Sequence, residues 1–420
     1  MAPHSPKDLT VYVFNVGQGD HLLIELPNGE YGIIDFYHDS CPPLNLLKSP
    51  ALYFLERRRL AAPSRPIKIR FIHLTHPDLD HTKGVIEFLD WVIEHKIKLR
   101  EFWSFPGFDF KGLVGQFKEA LASLDKPNEE LMQRAQEINN RLERLHELIR
   151  KSGCREKVVL GVCQMAAIGK DTKVVAVGPL GTHVDYTNRK VLRQLFSLIL
   201  EGKASRTSYN NRMSSVMMIK YKRHSLLFGG DTGNAIWDQC LEFYRDSKQN
   251  EPHGECHGNF IKVSHHGSKN SSSSKLWRSL LQDDTRLVIS AGRTKKPKHP
   301  DAKTLKEIVR AGRKFSIPPN IVSTNMCSEC LNQTENSAFV NWFSRAEAKP
   351  KKDVETVNRR MRAKGVSGSF SPPEFAGYIY GFGQGEERIK LTAAVTTKKL
   401  TKSPCLWKKP KEGFPKCVYR

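Results

Sequence analysis

The chain has 420 residues and a formal net charge of +23, and 39% of its residues are hydrophobic. That length fits one large α/β domain with additions, or two domains. The sequence contains no charge-free apolar run long enough for a transmembrane helix, and Met1 to Leu9 lack the apolar core of a secretory signal. We therefore expect a cytoplasmic protein without a membrane partner, in which the nine cysteines are reduced.

The excess of Lys and Arg, 67 against 44 Asp and Glu, predicts a polyanionic partner, and nucleic acid is the first candidate. The alternative is a lysine-rich surface that serves only solubility. Part of the charge is clustered, as in the segment Lys349 to Lys364, and this favours an electrostatic role.

The N-terminal part of the chain predicts three short strands and a helix. The strands are predicted at 9–16, 21–26 and 31–36, with a hairpin turn at Asn28-Gly29, and the helix at 49–60. Asp35, at the end of the third strand, is either a turn or capping residue or the partner that orients a metal-binding histidine.

The segment Thr75 to Gly84 carries the densest group of chemically active side chains. An apolar run at 67–74 predicts a buried strand that leads into it, and a helical pattern follows at 85–93. The metal-capable side chains of this segment are His76, Asp78, Asp80 and His81. Two carboxylates and two imidazoles this close need a cation, and mixed N and O ligands suit zinc, manganese or iron. A metal-binding loop is therefore predicted, the alternative being an Asp-rich turn with two surface histidines.

A long amphipathic segment, 128–151, predicts a helix with one narrow apolar seam. It is expected to form a helical insertion at 126–152 that packs on its own domain, with self-association or a protein partner as the alternative. Further strands are predicted at 174–177, 216–221, 225–229, 260–264 and 286–290.

Polar residues flank several of these strands. Asp231 follows the strand 225–229, and His265-His266 follow 260–264, so we expect Asp231 and one of these histidines at one metal centre. His265 is the first choice because it leaves the strand first, and His266 is close behind. Asn210 and Asn211 precede the strand 216–221, where their side chains could donate hydrogen bonds to a phosphate.

The composition changes from about residue 324 onward. Residues 326–420 are predicted to form a basic extension with a closing hairpin near 377–392. Cys327 and Cys330 form a C-x-x-C pair that could bind a structural zinc together with Cys405 and Cys417. The second pair lacks tight metal spacing, which argues against this zinc site.

Six short motifs occur along the chain: V-G-Q-G-D (16–20), I-I-D (33–35), H-P-D-L-D-H (76–81), F-G-G-D (228–231), V-S-H-H-G-S (263–268) and K-H-P (298–300). In this order they resemble the hydrolase domain of ComEC-type competence proteins, in the metallo-β-lactamase superfamily. The resemblance implies a four-layer αββα sandwich over residues 1–325. It does not extend to the membrane-embedded channel segments of ComEC proteins, so a DNA-uptake channel is not expected.

The resemblance also implies two divalent metal ions, Zn²⁺ or Mn²⁺. The implied ligands are His76 and Asp78 for one ion, Asp80, His81 and His265 for the other, and Asp231 for both. Asp78 stands where a histidine is commoner in the family, which favours manganese, and His183 lies where some relatives have a further ligand. The residues expected to act in catalysis are Asp80, Lys298 and His299, and those expected to bind substrate are Asn210, Asn211, His266, Ser268 and Lys298.

Together, the resemblance and the charge predict a soluble metal-dependent phosphodiesterase that hydrolyses nucleic acid through a metal-activated hydroxide. DNA is expected before RNA, and single-stranded DNA before other forms. Two alternatives stay open. One is a metallo-hydrolase of a small molecule such as a nucleotide, lactone or thioester, because function depends on the site rather than on the fold. The other is a non-catalytic accessory subunit that binds nucleic acid.

Overall fold

The computed structural model describes residues 9–14, 16, 18–37, 49–76, 78–105, 129–180, 211, 213–246, 256–283, 285–290, 299–312, 314–315, 320–323, 376–382, 388–393, 406–408 and 416–418. The strands are β1 (Leu9–Phe14), β2 (Leu22–Glu25), β3 (Tyr31–Ile34), β4 (Lys68–His73), β5 (Lys98–Ser104), β6 (Arg155–Val158), β7 (Cys163–Ile168), β8 (Thr172–Gly178), β9 (Val216–Tyr221), β10 (His224–Phe228), β11 (Phe260–Lys262), β12 (Arg286–Ile289), β13 (Asn320–Ser323), β14 (Ala376–Phe382), β15 (Arg388–Ala393), β16 (Leu406–Lys408) and β17 (Lys416–Val418). The helices are α1 (Pro50–Ala61), α2 (Leu79–Thr82), α3 (Val85–Glu94), α4 (Glu129–Ser152), α5 (Asn234–Asp246), α6 (Ser274–Leu280) and α7 (Ala302–Gly312).

These strands form two mixed sheets, which confirms the predicted α/β class. The first sheet has the order β15-β14-β1-β2-β3-β4-β5-β6, antiparallel as far as β3 and parallel from β3 to β6. The second has the order β17-β16-β13-β12-β11-β10-β9-β8-β7 and is parallel from β10 to β13. Because β3 and β4 are parallel, as are β10 and β11, the carboxyl ends of each pair lie at one edge of their sheet.

The buried apolar side chains form three cores, which lie between four layers of helices and sheets. Between the sheets, buried side chains of both sheets pack together, among them Val11, Phe71, Met217 and Val288. Helices α1, α3 and α4 cover the outer face of the first sheet, and α5, α6 and α7 cover that of the second. This helix–sheet–sheet–helix order buries apolar side chains on both faces of each sheet. It is consistent with the sandwich that the resemblance implies.

The chain beyond residue 325 contributes strands to both sheets. β14 pairs antiparallel with β1 and with β15, and the β14–β15 pair lies where a hairpin near 377–392 is expected. β16 pairs with β13 and with β17 at the edge of the second sheet. These strands therefore extend the two sheets that the residues before 325 build.

Helix α4 occupies most of the expected insertion at 126–152. The side chains of Leu145, Leu148 and Ile149, near its C-terminal end, are buried in the same core as those of α3. Among the helices of the described ranges, none has an apolar stretch long enough to cross a bilayer.

Candidate metal centre

The candidate site lies where the carboxyl ends of four strands from both sheets come together. Asp35 follows β3, His76 follows β4, Asp231 follows β10, and His265 and His266 follow β11. The segment after residue 77 differs from the predicted loop, because Leu79–Thr82 form the helical turn α2. The turn closes because the backbone N–H groups of His81 and Thr82 both donate to the carbonyl of Asp78, at 3.0 and 3.1 Å.

Four side chains form an inner group: Asp80, His81, Asp231 and His266. Each offers a ligand atom, and these atoms all lie within 4.8 Å of one another. Nε2 of His81 is 3.3 Å from Oδ1 of Asp231, and Nε2 of His266 is 3.4 Å from Oδ2 of Asp80. Asp80 and His81 lie on α2, which follows β4 of the first sheet, and Asp231 and His266 follow β10 and β11 of the second. The group therefore exists only when both halves of the fold are in place.

A second group adjoins the first and consists of His76, Asp78 and Asp80. Nε2 of His76 lies 3.6 Å from Oδ2 of Asp78 and 3.9 Å from Oδ2 of Asp231. Asp80 belongs to both groups, and Asp231 faces both through its two oxygens. The arrangement offers two neighbouring positions for cations that share carboxylates, which suits a dinuclear centre.

The hydrogen bonding of these side chains also fits bound metal. Within the described residues, Nε2 of His76, Nε2 of His81, Oδ1 of Asp231 and Nε2 of His266 are buried without a hydrogen-bond partner. A buried polar atom without a partner costs about 1–3 kcal/mol, and here several point into one space. A cation would be a common partner for all of them, and imidazole nitrogens with carboxylate oxygens suit Zn²⁺ or Mn²⁺.

Asp35 holds the ring of His81 in place. Its Oδ2 accepts a hydrogen bond from Nδ1 of His81 at 2.6 Å and from the hydroxyl of Thr75 at 2.8 Å, while its Oδ1 accepts from the Thr75 backbone N–H at 2.9 Å. The contact leaves Nε2 of His81 free to face Asp231. Of the two interpretations of Asp35, the structure supports the one in which it orients a histidine.

The charges of the inner group stabilise one another. Burial alone would lower the pKa of His81, but the carboxylates of Asp231 and Asp35 raise that pKa well above its ordinary value. Burial alone would raise the pKa of Asp231, but His266 and His81 hold it well below its ordinary value. Asp231 is therefore a carboxylate at neutral pH, the form that binds a cation.

The two histidines after β11 have different surroundings. His266 is buried, donates from Nδ1 to the carbonyl of Ser290 at 3.0 Å, and directs Nε2 at the inner group. The side chain of His265 is 23% exposed, with Nε2 3.8 Å from Oδ2 of Asp231 and Nδ1 3.2 Å from the amide of Asn211. Both histidines have positive φ, near 50°, so the alternation of the strand does not continue through them. This turn directs His266, rather than the expected His265, at Asp80.

The other expected site residues lie around this centre or outside the described residues. The ring of His299 is 5.7 Å from that of His265, and burial lowers the pKa of His299 to about 4. The hydroxyl of Ser268 accepts from the backbone N–H of Asn270 at 3.4 Å and so caps the turn Lys269–Ser271. The expected residues that fall outside the described ranges are His183, Asn210, Lys298, Cys327, Cys330 and Cys405.

Sequence reasoning did not find two residues that support the centre. The hydroxyl of Ser214 accepts from the backbone N–H of Asp231 at 2.8 Å, next to Gly230, whose φ is +48°. Lys262 is 1% exposed and pairs with the equally buried Asp20. Lys262 could have been noticed in the sequence, because a lysine interrupts the apolar strand F-I-K-V. Ser214 precedes a strand, and a serine in that position has no distinguishing feature.

Comparisons with known proteins give only solved structures with low similarity scores. No protein-family model and no curated protein sequence matches the chain. Among solved structures, the metallo-β-lactamase fold protein YhfI from Bacillus subtilis is 10% identical with a TM-score of 0.36, covering 76% of this chain and 98% of that one. Yeast PDE1 is 11% identical with a TM-score of 0.37, covering 74% and 97%.

A CmlA β-hydroxylase variant is 14% identical with a TM-score of 0.36, and the match covers 76% of this chain but only 52% of that one. These TM-scores are low, so no conclusion about activity or substrate rests on them. On its own geometry, the site is a buried His/Asp cluster between two mixed sheets, with donor atoms suited to two divalent cations.

Proposed function

We propose that this protein is a metal-dependent phosphodiesterase of the metallo-β-lactamase type that hydrolyses nucleic acid, with single-stranded DNA as the leading substrate. The observation that carries the proposal is the pair of adjoining ligand groups that share Asp80. The chain's charge of +23 supports a phosphate-rich substrate.

The proposed ligands follow the geometry. His76, Asp78 and Asp80 would hold one ion, and Asp80, His81, Asp231 and His266 the other. Asp231 would also contact the first ion, because its Oδ2 faces His76. His266 thus takes the role that the sequence assigns to His265. When bound, two such ions supply an activated water at neutral pH and offset the negative charge of a phosphodiester.

The protein's own residues position and shield this chemistry. Asp35 fixes the ring of His81, and the carbonyl of Ser290 fixes the ring of His266. Asp78 and Asp80 are the more exposed ligands, with side chains 31% and 34% accessible, so substrate would approach from their side.

A rim of polar side chains would bind the substrate beside the metals. His265 lies there with Asn211 and His299. A His299 pKa of about 4 leaves its imidazole neutral at pH 7, so it would form a hydrogen bond to substrate rather than an ion pair with phosphate. Lys298 and the basic residues of 326–420 would add cations along a nucleic-acid backbone.

A reconstitution assay tests the proposal. Metal-depleted protein would be reloaded with Mn²⁺ or Zn²⁺ and offered labelled single- and double-stranded DNA and RNA. We expect metal-dependent cleavage, fastest on single-stranded DNA, and loss of cleavage in Asp80→Ala and Asp231→Ala variants that keep a native circular dichroism spectrum. Native activity in either variant would contradict the proposal.

Salt dependence separates the alternatives. For a polyanionic substrate, kcat/KM should fall at least about tenfold between roughly 50 and 200 mM salt, because several phosphate contacts are screened. A flat salt dependence would favour a small-molecule substrate, and tight DNA binding without metal-dependent turnover would favour an accessory subunit.

A further inference from the structure

A buried ion pair lies directly behind the candidate metal centre. Lys262 is the last residue of β11 in the second sheet, and its Nζ contacts Oδ2 of Asp20, which precedes β2 in the first sheet. Both residues are 1% exposed. The pair therefore joins the two halves of the molecule beneath the point at which the ligand groups meet.

Asp20 contacts ligand-bearing segments of both halves. Its backbone N–H donates to the carbonyl of Asp80 at 3.1 Å, and its Oδ1 lies 3.6 Å from Nδ1 of His266. Within the described residues, that Oδ1 has no hydrogen-bond partner. The side chains of Asp80 and His266 approach each other to 3.4 Å across the centre. Asp20 is thus in position to set the distance between them.

Stability alone does not account for this pair. Moving two charges out of water costs free energy. A protein with a buried ion pair is therefore often no more stable than one with apolar side chains of similar volume in its place. Asp20 also forms, with Asp35 and His81, a third group of ligand-capable residues. The Lys262 ammonium already neutralises Asp20, so that carboxylate is held in a defined place without a metal ion.

We propose that Asp20 and Lys262 are a positioning pair that fixes the spacing of Asp80 and His266 and so sets the metal affinity of the centre. The proposal rests on the proposed function, because it takes these two residues to be metal ligands. It adds a charge-dependent link between the sheets that is distinct from the ligands themselves.

The test combines single and double variants of the full chain, with two readouts: the thermal midpoint and Mn²⁺ affinity by calorimetry. Lys262→Met and Asp20→Asn each leave one charge buried and unpaired, so both should lower the midpoint and weaken Mn²⁺ binding at least tenfold. The double variant Asp20→Leu/Lys262→Met should recover the midpoint, yet its Mn²⁺ affinity should stay at least tenfold below that of the native chain.

The control is Lys157→Met, which removes another ion pair, with Glu101 at 2.9 Å on strands β6 and β5. It should leave Mn²⁺ affinity unchanged. If the apolar double variant does not fold, Asp20→Asn/Lys262→Gln replaces it, because this pair keeps a hydrogen bond without charges, and the same tenfold loss is expected.

Two outcomes overturn the proposal. Native Mn²⁺ affinity in a folded double variant would show that the pair serves folding only, and would leave the proposed function intact. A native chain that binds neither Mn²⁺ nor Zn²⁺ would overturn the proposed function and, with it, this proposal.

Discussion

Nδ1 of His81 lies 2.6 Å from Oδ2 of Asp35, and both side chains are fully buried. This contact fixes which nitrogen of His81 faces the centre. Partners of this kind typically change metal affinity or activity by about 10–100-fold when removed. We therefore predict that Asp35→Asn lowers Mn²⁺ affinity by a factor in that range, measured by calorimetry.

The matched control for Asp35 is Glu56→Gln on α1. Glu56 also pairs with a basic side chain, that of Arg59 at 2.6 Å, but on the helical layer outside the first sheet. Mn²⁺ affinity should be native in this variant. Equal affinity in Asp35→Asn and Glu56→Gln would mean that Asp35 does not act through His81.

The two histidines after β11 can be separated experimentally. His266→Ala removes a buried side chain directed at Asp80 and Asp231, so the purified variant should lose bound metal. His265→Ala removes a more exposed side chain, so metal content should stay native while KM rises. Metal analysis of the two variants decides between them, and the reverse pattern would restore the assignment based on the sequence.

Helix α4 also contacts the segment that carries the candidate metal ligands. Arg141 on α4 donates from Nη2 to the carbonyl of Thr82 at 2.8 Å, at the end of the turn that carries Asp80 and His81. A hydrogen bond to a charged group contributes about 1.5 kcal/mol or more. Arg141→Met should lower the free energy of unfolding by about that amount and reduce kcat several-fold.

Arg144→Met is the control on the same helix. Arg144 pairs at 2.7 Å with Asp90, and both side chains are more than 40% exposed, so this pair should contribute little. Native kcat is expected. Indistinguishable kinetics for the two arginine variants would exclude a role of α4 at the centre.

His73 makes stability depend on pH. Burial between the sheets lowers its pKa from 6.5 to about 3, and its Nε2 is 2.9 Å from the hydroxyl of Ser215. Below pH 6.5 the unfolded chain binds a proton on His73 that the folded chain does not bind until about pH 3. The contribution of the neutral His73 imidazole to the free energy of unfolding is therefore complete above pH 6.5. It is lost progressively as pH falls toward 3, by about 2 kcal/mol at pH 5.

Urea denaturation of metal-free protein tests this prediction. Between pH 7.5 and 5, the native chain should lose about 2 kcal/mol more stability than His73→Gln, which has no titrating imidazole at that position. Parallel pH profiles for the two proteins would show that His73 does not titrate as its burial implies.

The sequence predicts which side chains lie together where they follow a strand in one short motif. His76, Asp78, Asp80 and His81 are close in sequence, and the structure keeps them close. The sequence does not predict which of His265 and His266 faces Asp80, because this depends on backbone conformation. Both residues have positive φ angles, and His266 is the one directed at Asp80. Local patterns cannot detect the Asp20–Lys262 pair, whose members are 242 residues apart.

Strands were missed for a related reason. β6 has the sequence R-E-K-V with mostly exposed side chains, so it lacks the apolar alternation that predicts a strand. It forms because its backbone pairs in parallel with β5 at the edge of the first sheet. Such pairing depends on the rest of the fold rather than on the strand's own residues.

The most direct test of the dinuclear centre is anomalous diffraction from crystals soaked with Mn²⁺. We predict two anomalous peaks about 3.5–4 Å apart, with the carboxylates of Asp80 and Asp231 in contact with both. Absence of anomalous signal at these side chains, or manganese bound only elsewhere on the protein, would contradict the account.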